Sequence, residues 1–333
     1  MRIGVIGRTG FLYNTILKVH SEGHKIVFII TSPGESHYDK DFHDFEKLAK
    51  ELQINFFNIN PFKLDELMPI IKEYKPDLGI SINWKTIISK DVLNCFPKGI
   101  INAHAGDLPR FRGNATPNWA IIKGETQFFI TLHFMDEELD AGDILLKRAF
   151  PITESTYVKD LYNIMNENIP NMFVEVINSI NEKRNIPIKQ TEQNKSPLRC
   201  LPRYPEDGEI DWKLSAIDIS RQIRANAEPF SGAYTFMDLK KIIIWKGYEE
   251  KANTEIIGNP GQVVEIRKDR GEVLILTGNG FIVLEEVQLE GDFKRPASDV
   301  IKNMRTKLGI NYSKEIIKII NQLEEFKKLF YHS

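Results

Sequence analysis

The chain has 333 residues, 42% of them hydrophobic and 27% charged, with a formal net charge of −2. That length exceeds the usual single domain, so two domains are expected, and the balance is that of an ordinary globular protein with no broad attraction to nucleic acid or to anionic membrane. No apolar stretch reaches spanning length and the opening MRIGVIGRTG has no leader pattern, while Cys95 and Cys200 lie far apart and outside metal spacing; a cytoplasmic protein with plain core thiols is expected.

In chain order, RIGVIG (residues 2–7), KIVFIIT (25–31), NFFNI (55–59), LGISIN (78–83) and GIINAHA (99–105) read as strands buried on both faces. Between them, HDFEKLAKEL and LDELMPIIKEY place apolar residues at helical spacing. That rhythm predicts an α/β fold with a doubly wound, mostly parallel sheet. Two longer strands follow, FFITLHFM (128–135) and DILLKRAF (143–150), and then a helix from about residue 157 to 181. Residues 184–210 turn polar and proline-rich, as a linker or surface crossing does. Beyond them the helical AIDISRQIRAN precedes GAYTFM, KIIIWKG, GQVVEIRK, EVLILTG and GFIVLEEVQL, short strands broken by Gly or Asn turns that predict a β-barrel-like domain. The end, NYSKEIIKIINQLEEFKKLF, is an amphipathic helix with a cap expected at Asn311 or Ser313. The expected domains are therefore 1–190, a linker at 191–209, a β-rich domain at 210–305 and a C-terminal helix at 306–333.

The glycines Gly4-x-x-Gly7-x-x-Gly10 lack the order of a dinucleotide loop, and the second strand ends in IITSP without an acid for a ribose hydroxyl. A nicotinamide dehydrogenase is disfavoured, and the glycines read as a tight strand-to-helix turn. Asn102 and His104 are two apart in a strand and so share a face near its carboxyl end, where open α/β sheets bind ligands. The following DLPRFRGN puts two arginines beside a glycine, which suits an anion or a solvated turn. Asp140, in Leu-Asp-Ala-Gly-Asp, lies on a tight connection between two strands that should neighbour the Asn102 strand. A carboxylate beside a histidine orients the ring and stabilises its protonated form, as acyl transfer requires.

Taken together, Asn102-x-His104, the loop His104-Ala-Gly-Asp-Leu-Pro109-Arg-Phe-Arg112-Gly113, Ile122-x-Gly124-Glu125 and Leu139-Asp140-x-Gly142-Asp143 resemble the 10-formyltetrahydrofolate-dependent formyltransferases. RYPEDGEIDW, IRANAEPFSGAYTF and KIIIWKG extend the resemblance to the linker and post-catalytic barrel of family members such as methionyl-tRNA formyltransferase and the formyltransferase half of the UDP-4-amino-4-deoxy-L-arabinose enzyme. The resemblance covers about residues 1–290. It implies a Rossmann-like catalytic domain, an OB-like second domain, and Asn102, His104 and Asp140 as the catalytic trio. It also implies 10-formyltetrahydrofolate as cofactor, its pterin against Asn83, Trp84, Lys85, Thr86, Ile87 and Ile88, with Asp136 and Asp140 beside it. The chain departs from the family where Ser-Leu-Leu-Pro is common and Gly106-Asp107-Leu108-Pro109 stands here, and where Gly-Val-Thr is replaced by Phe129-Ile130-Thr131.

Three acceptor readings follow. One is the amino group of a nucleotide-linked amino deoxysugar destined for surface polysaccharide or lipopolysaccharide; the second is methionyl-tRNA; the third is a folate-binding protein that transfers nothing. A tRNA enzyme needs cations for phosphates. Residues 201–333 carry 20 Lys and Arg against 21 Asp and Glu, and the stretch after the second strand, TSPGESHYDKDFHDFEK, is acidic. The count selects the amino sugar, with no nucleic-acid or membrane partner and a homodimer open. On that reading Arg112, Arg110, Arg8 and Arg203 meet the diphosphate, and Thr9, Gly10, Tyr13, Gly106 and Asp107 flank the acceptor.

Overall fold

The β-branched runs and the amphipathic segments alternate as β1 (Arg2–Gly7), α1 (Thr9–Ser21), β2 (Lys25–Thr31), α2 (Phe42–Glu51), β3 (Asn55–Asn58), α3 (Leu67–Tyr74), β4 (Leu78–Ile82), α4 (Lys90–Leu93) and β5 (Ile100–His104). They are followed by β6 (Arg112–Gly113), α5 (Thr116–Ile122), β7 (Gln127–Phe134), β8 (Ile144–Pro151), α6 (Val158–Asn181) and β9 (Arg199–Cys200). The structure is a computed structural model that describes residues 1–33, 39–61, 66–192, 196–238, 240–251, 256–309 and 312–331. It divides into one unit of residues 1–120 and 125–202 and a second of residues 121–124 and 203–333.

In the first unit seven strands run in the order β3-β2-β1-β4-β5-β7-β8, parallel up to β5 and antiparallel from β5 to β8. The order reverses between β1 and β4, which leaves a crevice at their carboxyl ends. Helices cover both faces. α1 and α6 share one, where the Phe11 and Tyr162 rings lie 5.7 Å apart. On the other, Ile6, Phe28, Ile30 and Ile100 pack with Leu67 and Ile71 of α3 and with Ile88, Val92 and Phe96. β1, β2, β4 and β5 are buried as expected, but β3 is not: Asn55 and Asn58 are exposed and Phe56 and Phe57 half-buried, because an edge strand has one flank without a neighbour. Helix α1 follows the strand-to-helix turn read from the glycines, although its extent was not given by the sequence. It is rich in β-branched residues and has no side-chain cap and no acid in its first turn, so its local signal is weak. By contrast α2 carries a capping box, Asp41 accepting from the His43 and Asp44 amides and Asp44 from that of Asp41.

The second unit holds α7 (Ala216–Asn226), β10 (Ala233–Met237), β11 (Lys240–Glu250), β12 (Val263–Arg267), β13 (Glu272–Leu276), β14 (Phe281–Leu289), β15 (Lys294–Pro296), α8 (Ala297–Val300) and α9 (Tyr312–Tyr331). The strands form an antiparallel sheet in the order β10-β11-β14-β13-β12, with β15 on β14. Ile219 and Ile223 of α7 join Ile242, Ile244, Val273, Ile275, Ile282 and Leu284 in its core. The two ends of the sheet meet through residues 306–309. The Leu308 amide donates to the Gly261 carbonyl (2.8 Å) and the Gly309 amide to that of Phe236 (2.9 Å). Gly309 has φ +90°, and a Cβ there would lie 2.6 Å from Cδ1 of Trp212, so glycine is required where the ring closes. Of the two expected caps of α9, Asn311 lies outside the described residues.

Candidate active site

β5 carries Asn102 and His104 to the end of the sheet, and β7 runs beside it in a register that sets Asn102 opposite His133 and His104 opposite Thr131. Residues opposite one another in a ladder share a face, so one surface gathers an amide, two imidazoles and a hydroxyl. After β7 the chain turns back sharply. Asp140 takes φ +51°, and a Cβ on Gly142 would come within 2.0 Å of the Phe134 carbonyl oxygen. This turn returns the Asp140 carboxylate to the face of His104 and His133.

The geometry is specific. Oδ2 of Asp140 accepts the Gly113 amide at 2.9 Å and stands 3.4 Å from Nδ1 of His104; Oδ1 stands 3.7 Å from Nε2 of His133. Nε2 of His104 is 2.6 Å from the Phe111 carbonyl oxygen. Both atoms that His104 faces are acceptors. Gly106 leaves room for that ring, since a Cβ there would lie 2.7 Å from Nε2 of His104. Asn102 is half-buried, and its Nδ2 is 3.1 Å from Nε2 of His133. Burial holds His133 well below the usual histidine range, at about 4, although the Asp140 carboxylate pulls the other way; the His104 and Arg112 charges add to the lowering.

The loop expected to hold the pterin follows β4. Asn83 has φ +53°, its carbonyl accepts from Nε of Arg8 (3.0 Å), and its side-chain amide donates to Oγ1 of Thr9 (3.3 Å). Thr86 donates to the Pro61 carbonyl, Ile88 is in the core, Ile87 is exposed, and Lys85 lines an open cleft of about 420 Å³ with Pro33, Asn58, Ile59, Asn60 and Pro61. Two buried polar atoms flank this loop without a hydrogen-bond partner: Nε1 of Trp84, and Oγ of Ser81, which is in register with Asn102. Such atoms fit a ligand rich in acceptors and donors. Asp136 is exposed and accepts the Glu137 amide.

The residues expected at the acceptor are placed as follows. Arg8 is buried and reaches the Asn83 carbonyl, Thr9 and Gly10 are buried, and the Gly10 amide donates to Oδ1 of Asp39. The Tyr13 ring packs edge-on to Phe45. Asp107 is buried and pairs with Nζ of Lys147 at 3.0 Å. Arg110 pairs with Glu125 at 2.7 Å, and Arg112 donates to Oε1 of Gln190 at 2.7 Å. Arg203 belongs to the second unit and donates to the Asp207 carbonyl and the Asn226 amide oxygen.

Two residues of the site were not found by sequence. His133 had a signal, since alternation along FFITLHFM sets it on the face of Thr131, but the pairing register was needed to set it against Asn102. Gln190 had none. It is buried in a proline-rich stretch, where its Nε2 donates to the Asp140 and Gly142 carbonyls, each at 2.8 Å, while its Oε1 holds Arg112.

Residues 1–177 match the Formyl transferase family and residues 203–305 the family described as Formyl transferase, C-terminal domain. The chain is 31% identical over 315 residues to the methionyl-tRNA formyltransferase of Citrifermentans bemidjiense, covering 93% of this chain and 95% of that one. Among solved structures, the N-formyltransferase from Helicobacter canadensis, in complex with folinic acid and dTDP-3-aminofucose, aligns with a TM-score of 0.62 at 20% identity, covering 85% of this chain and 98% of that one. HypX from Aquifex aeolicus aligns with a TM-score of 0.59 at 22% identity over 91% of this chain, which spans 49% of HypX. At these identities the two structures bear on the fold alone.

The chain belongs to the formyl transferase family. It is an N-formyltransferase. The amino-sugar acceptor expected from charge is overturned by the relatives that match over nearly full length, which are methionyl-tRNA formyltransferases. The reason is physical: a residue count records how many charges a domain carries and not which surface they face, and five residues of the stretch weighed after β2, 34–38, lie outside the described residues. Among the described residues no helix is long and apolar enough to cross a membrane.

Proposed function

We propose that the chain transfers the formyl group of 10-formyltetrahydrofolate to the α-amino group of methionyl-tRNA. The observation that carries the acceptor is the 31% identity to a methionyl-tRNA formyltransferase across 93% of the chain. The convergence of Asn102, His104 and Asp140 on one sheet face supports the chemistry.

The donor supplies an acyl carbon and a nitrogen leaving group, and the chain supplies the rest. The Asn102 amide N–H donates to the formyl oxygen as it gains charge when the amine attacks, a donor of the kind worth about 3 kcal/mol of barrier. His104, held between the Phe111 carbonyl and Asp140, takes up the proton that the amine gives up. Asp140 stabilises the imidazolium so formed, and the proton passes to the folate nitrogen as its bond to the formyl carbon breaks. The loop of Asn83 to Ile88 holds the pterin, and the orphaned groups of Ser81 and Trp84 meet its polar edge or a water bound with it.

The test is an assay of purified protein with 10-formyltetrahydrofolate and methionyl-tRNA, with nucleotide-linked amino sugars in parallel. Formyl-methionyl-tRNA as the product is expected. Transfer to an amino sugar and none to tRNA would overturn the acceptor.

A further inference from the structure

We propose that His133 is a positioning residue whose fixed tautomer dictates which way the Asn102 amide points. This inference rests on the formyl-transfer reading of the site and adds a residue to it.

A carboxamide side chain is almost symmetric in shape. Its oxygen and nitrogen exchange places by a half-turn about the last bond, and only hydrogen bonding distinguishes the two orientations. For Asn102 the difference decides function, because one orientation presents N–H groups to a developing oxyanion and the other presents a carbonyl oxygen that repels it. Something next to Asn102 has to break the degeneracy, and β5 alone does not.

His133 breaks it in two steps. Its Nδ1 lies 2.7 Å from the carbonyl oxygen of Phe134, an atom that can only accept, so Nδ1 carries a proton. The ring is neutral, since burial leaves it unprotonated down to about pH 4. A neutral imidazole with its proton on Nδ1 has a bare lone pair on Nε2. That lone pair is 3.1 Å from the Asn102 side chain and takes a hydrogen bond from Nδ2. The half-turned amide would set its oxygen against the same lone pair, acceptor against acceptor. One N–H of Asn102 is thereby spent on His133, and the second is left for substrate.

The surrounding charges pull both ways. The groups that act on His133 are Asp140, with Oδ1 at 3.7 Å from Nε2, His104, whose ring centroid is 6.4 Å away, and Arg112. Asp140 draws a proton towards Nε2 and His104 and Arg112 oppose it, while burial, the largest influence, keeps the ring neutral. A proton on Nε2 would invert the arrangement: the ring would become a donor, draw Oδ1 of Asn102 towards itself, and leave the oxyanion facing the wrong atom.

Two measurements test the proposal and separate it from the reading on which it rests. In protein labelled with nitrogen-15 at histidine, His133, assigned by its loss in His133→Leu, is expected at neutral pH to show a pyrrole-type Nδ1 and a pyridine-type Nε2. This readout needs no substrate, so it stands whatever the acceptor proves to be. A protonated Nε2, in the other tautomer or in an imidazolium, would overturn the proposal.

The second measurement is kinetic. His133→Leu keeps the apolar packing but removes the acceptor, and kcat is expected to fall about ten- to a hundredfold with KM for donor and acceptor within about threefold of the parent. His133→Gln restores an acceptor: the Asp140 carboxylate draws the new amide N–H, which turns Oε1 towards Asn102, and at least half of the lost factor should return. A His133→Leu enzyme with the parent kcat, or a loss that glutamine does not relieve, would refute the positioning role. If the leucine variant fails to fold, the loss of the signal in His133→Gln assigns it and the tautomer measurement on the parent decides the matter.

Discussion

His133→Gln also removes a group whose burial makes the fold sensitive to acid, and the size of that effect follows from the structure. In the unfolded chain an imidazole binds its proton near pH 6.5, whereas in the folded chain burial delays this until about pH 4. Between those values the unfolded state holds a proton that the folded state does not, so stability falls as pH falls through the window and is unaffected above it. By about pH 4.5 the loss from this one residue is about 2 to 3 kcal/mol, and it levels off below the folded-state value. The variant, having nothing to titrate there, should lose correspondingly less. Urea unfolding of parent and variant at several values from about pH 7 to about pH 4.5 measures the difference directly. The variant is expected to gain about 2 to 3 kcal/mol on the parent across that range, whatever their offset at neutral pH. Parallel stability curves would refute the argument, because they would mean that His133 is either solvated or already protonated in the folded state.

Other outcomes are expected from the same geometry. His104→Ala and Asp140→Asn should each lower turnover at least about a hundredfold while leaving the circular dichroism spectrum of the folded protein unchanged. Gln190→Ala leaves the Asp140 and Gly142 carbonyls and the Arg112 guanidinium without their shared partner, and should cost about 2 to 3 kcal/mol in urea unfolding and reduce kcat through the displaced Asp140. Gly309→Ala puts a methyl group against Trp212 at a left-handed position and should lower the melting temperature of the second unit by several degrees, read from tryptophan fluorescence, because it opens the closure of the sheet. If the acceptor is methionyl-tRNA, KM for the acceptor should rise steeply between about 50 and about 200 mM salt while KM for the donor moves little.

Much of the first unit was legible before any coordinates. The apolar runs at β1, β2, β4 and β5 suit the interior of a two-faced sheet, and of the two long strands after them β7 lies beside β5 and β8 beside β7. The glycines announced a strand-to-helix turn but not the extent of α1, whose own sequence says little; its length is set by the burial of Phe11, Leu12, Ile16 and Val19 in the tertiary fold. The barrel-like closure of the second sheet was expected, but not the residues that make it. Residues 306–309 have no strand pattern, and they take extended pairing from the two strand ends they bridge.

The sequence by itself determined the identity of the reacting groups. Asn102 and His104 two residues apart in a strand, and Asp140 on a glycine-bordered turn, are local facts that depend on side-chain alternation and backbone conformation, which the residues carry with them. Only the tertiary structure decided how those groups are held. The β5 to β7 register puts His133 against Asn102, and a residue some fifty positions downstream of Asp140, Gln190, ties down its loop. A ladder register and a contact between distant segments are settled by the packing of the whole domain, through energies summed over many side chains, and no short stretch of sequence contains them.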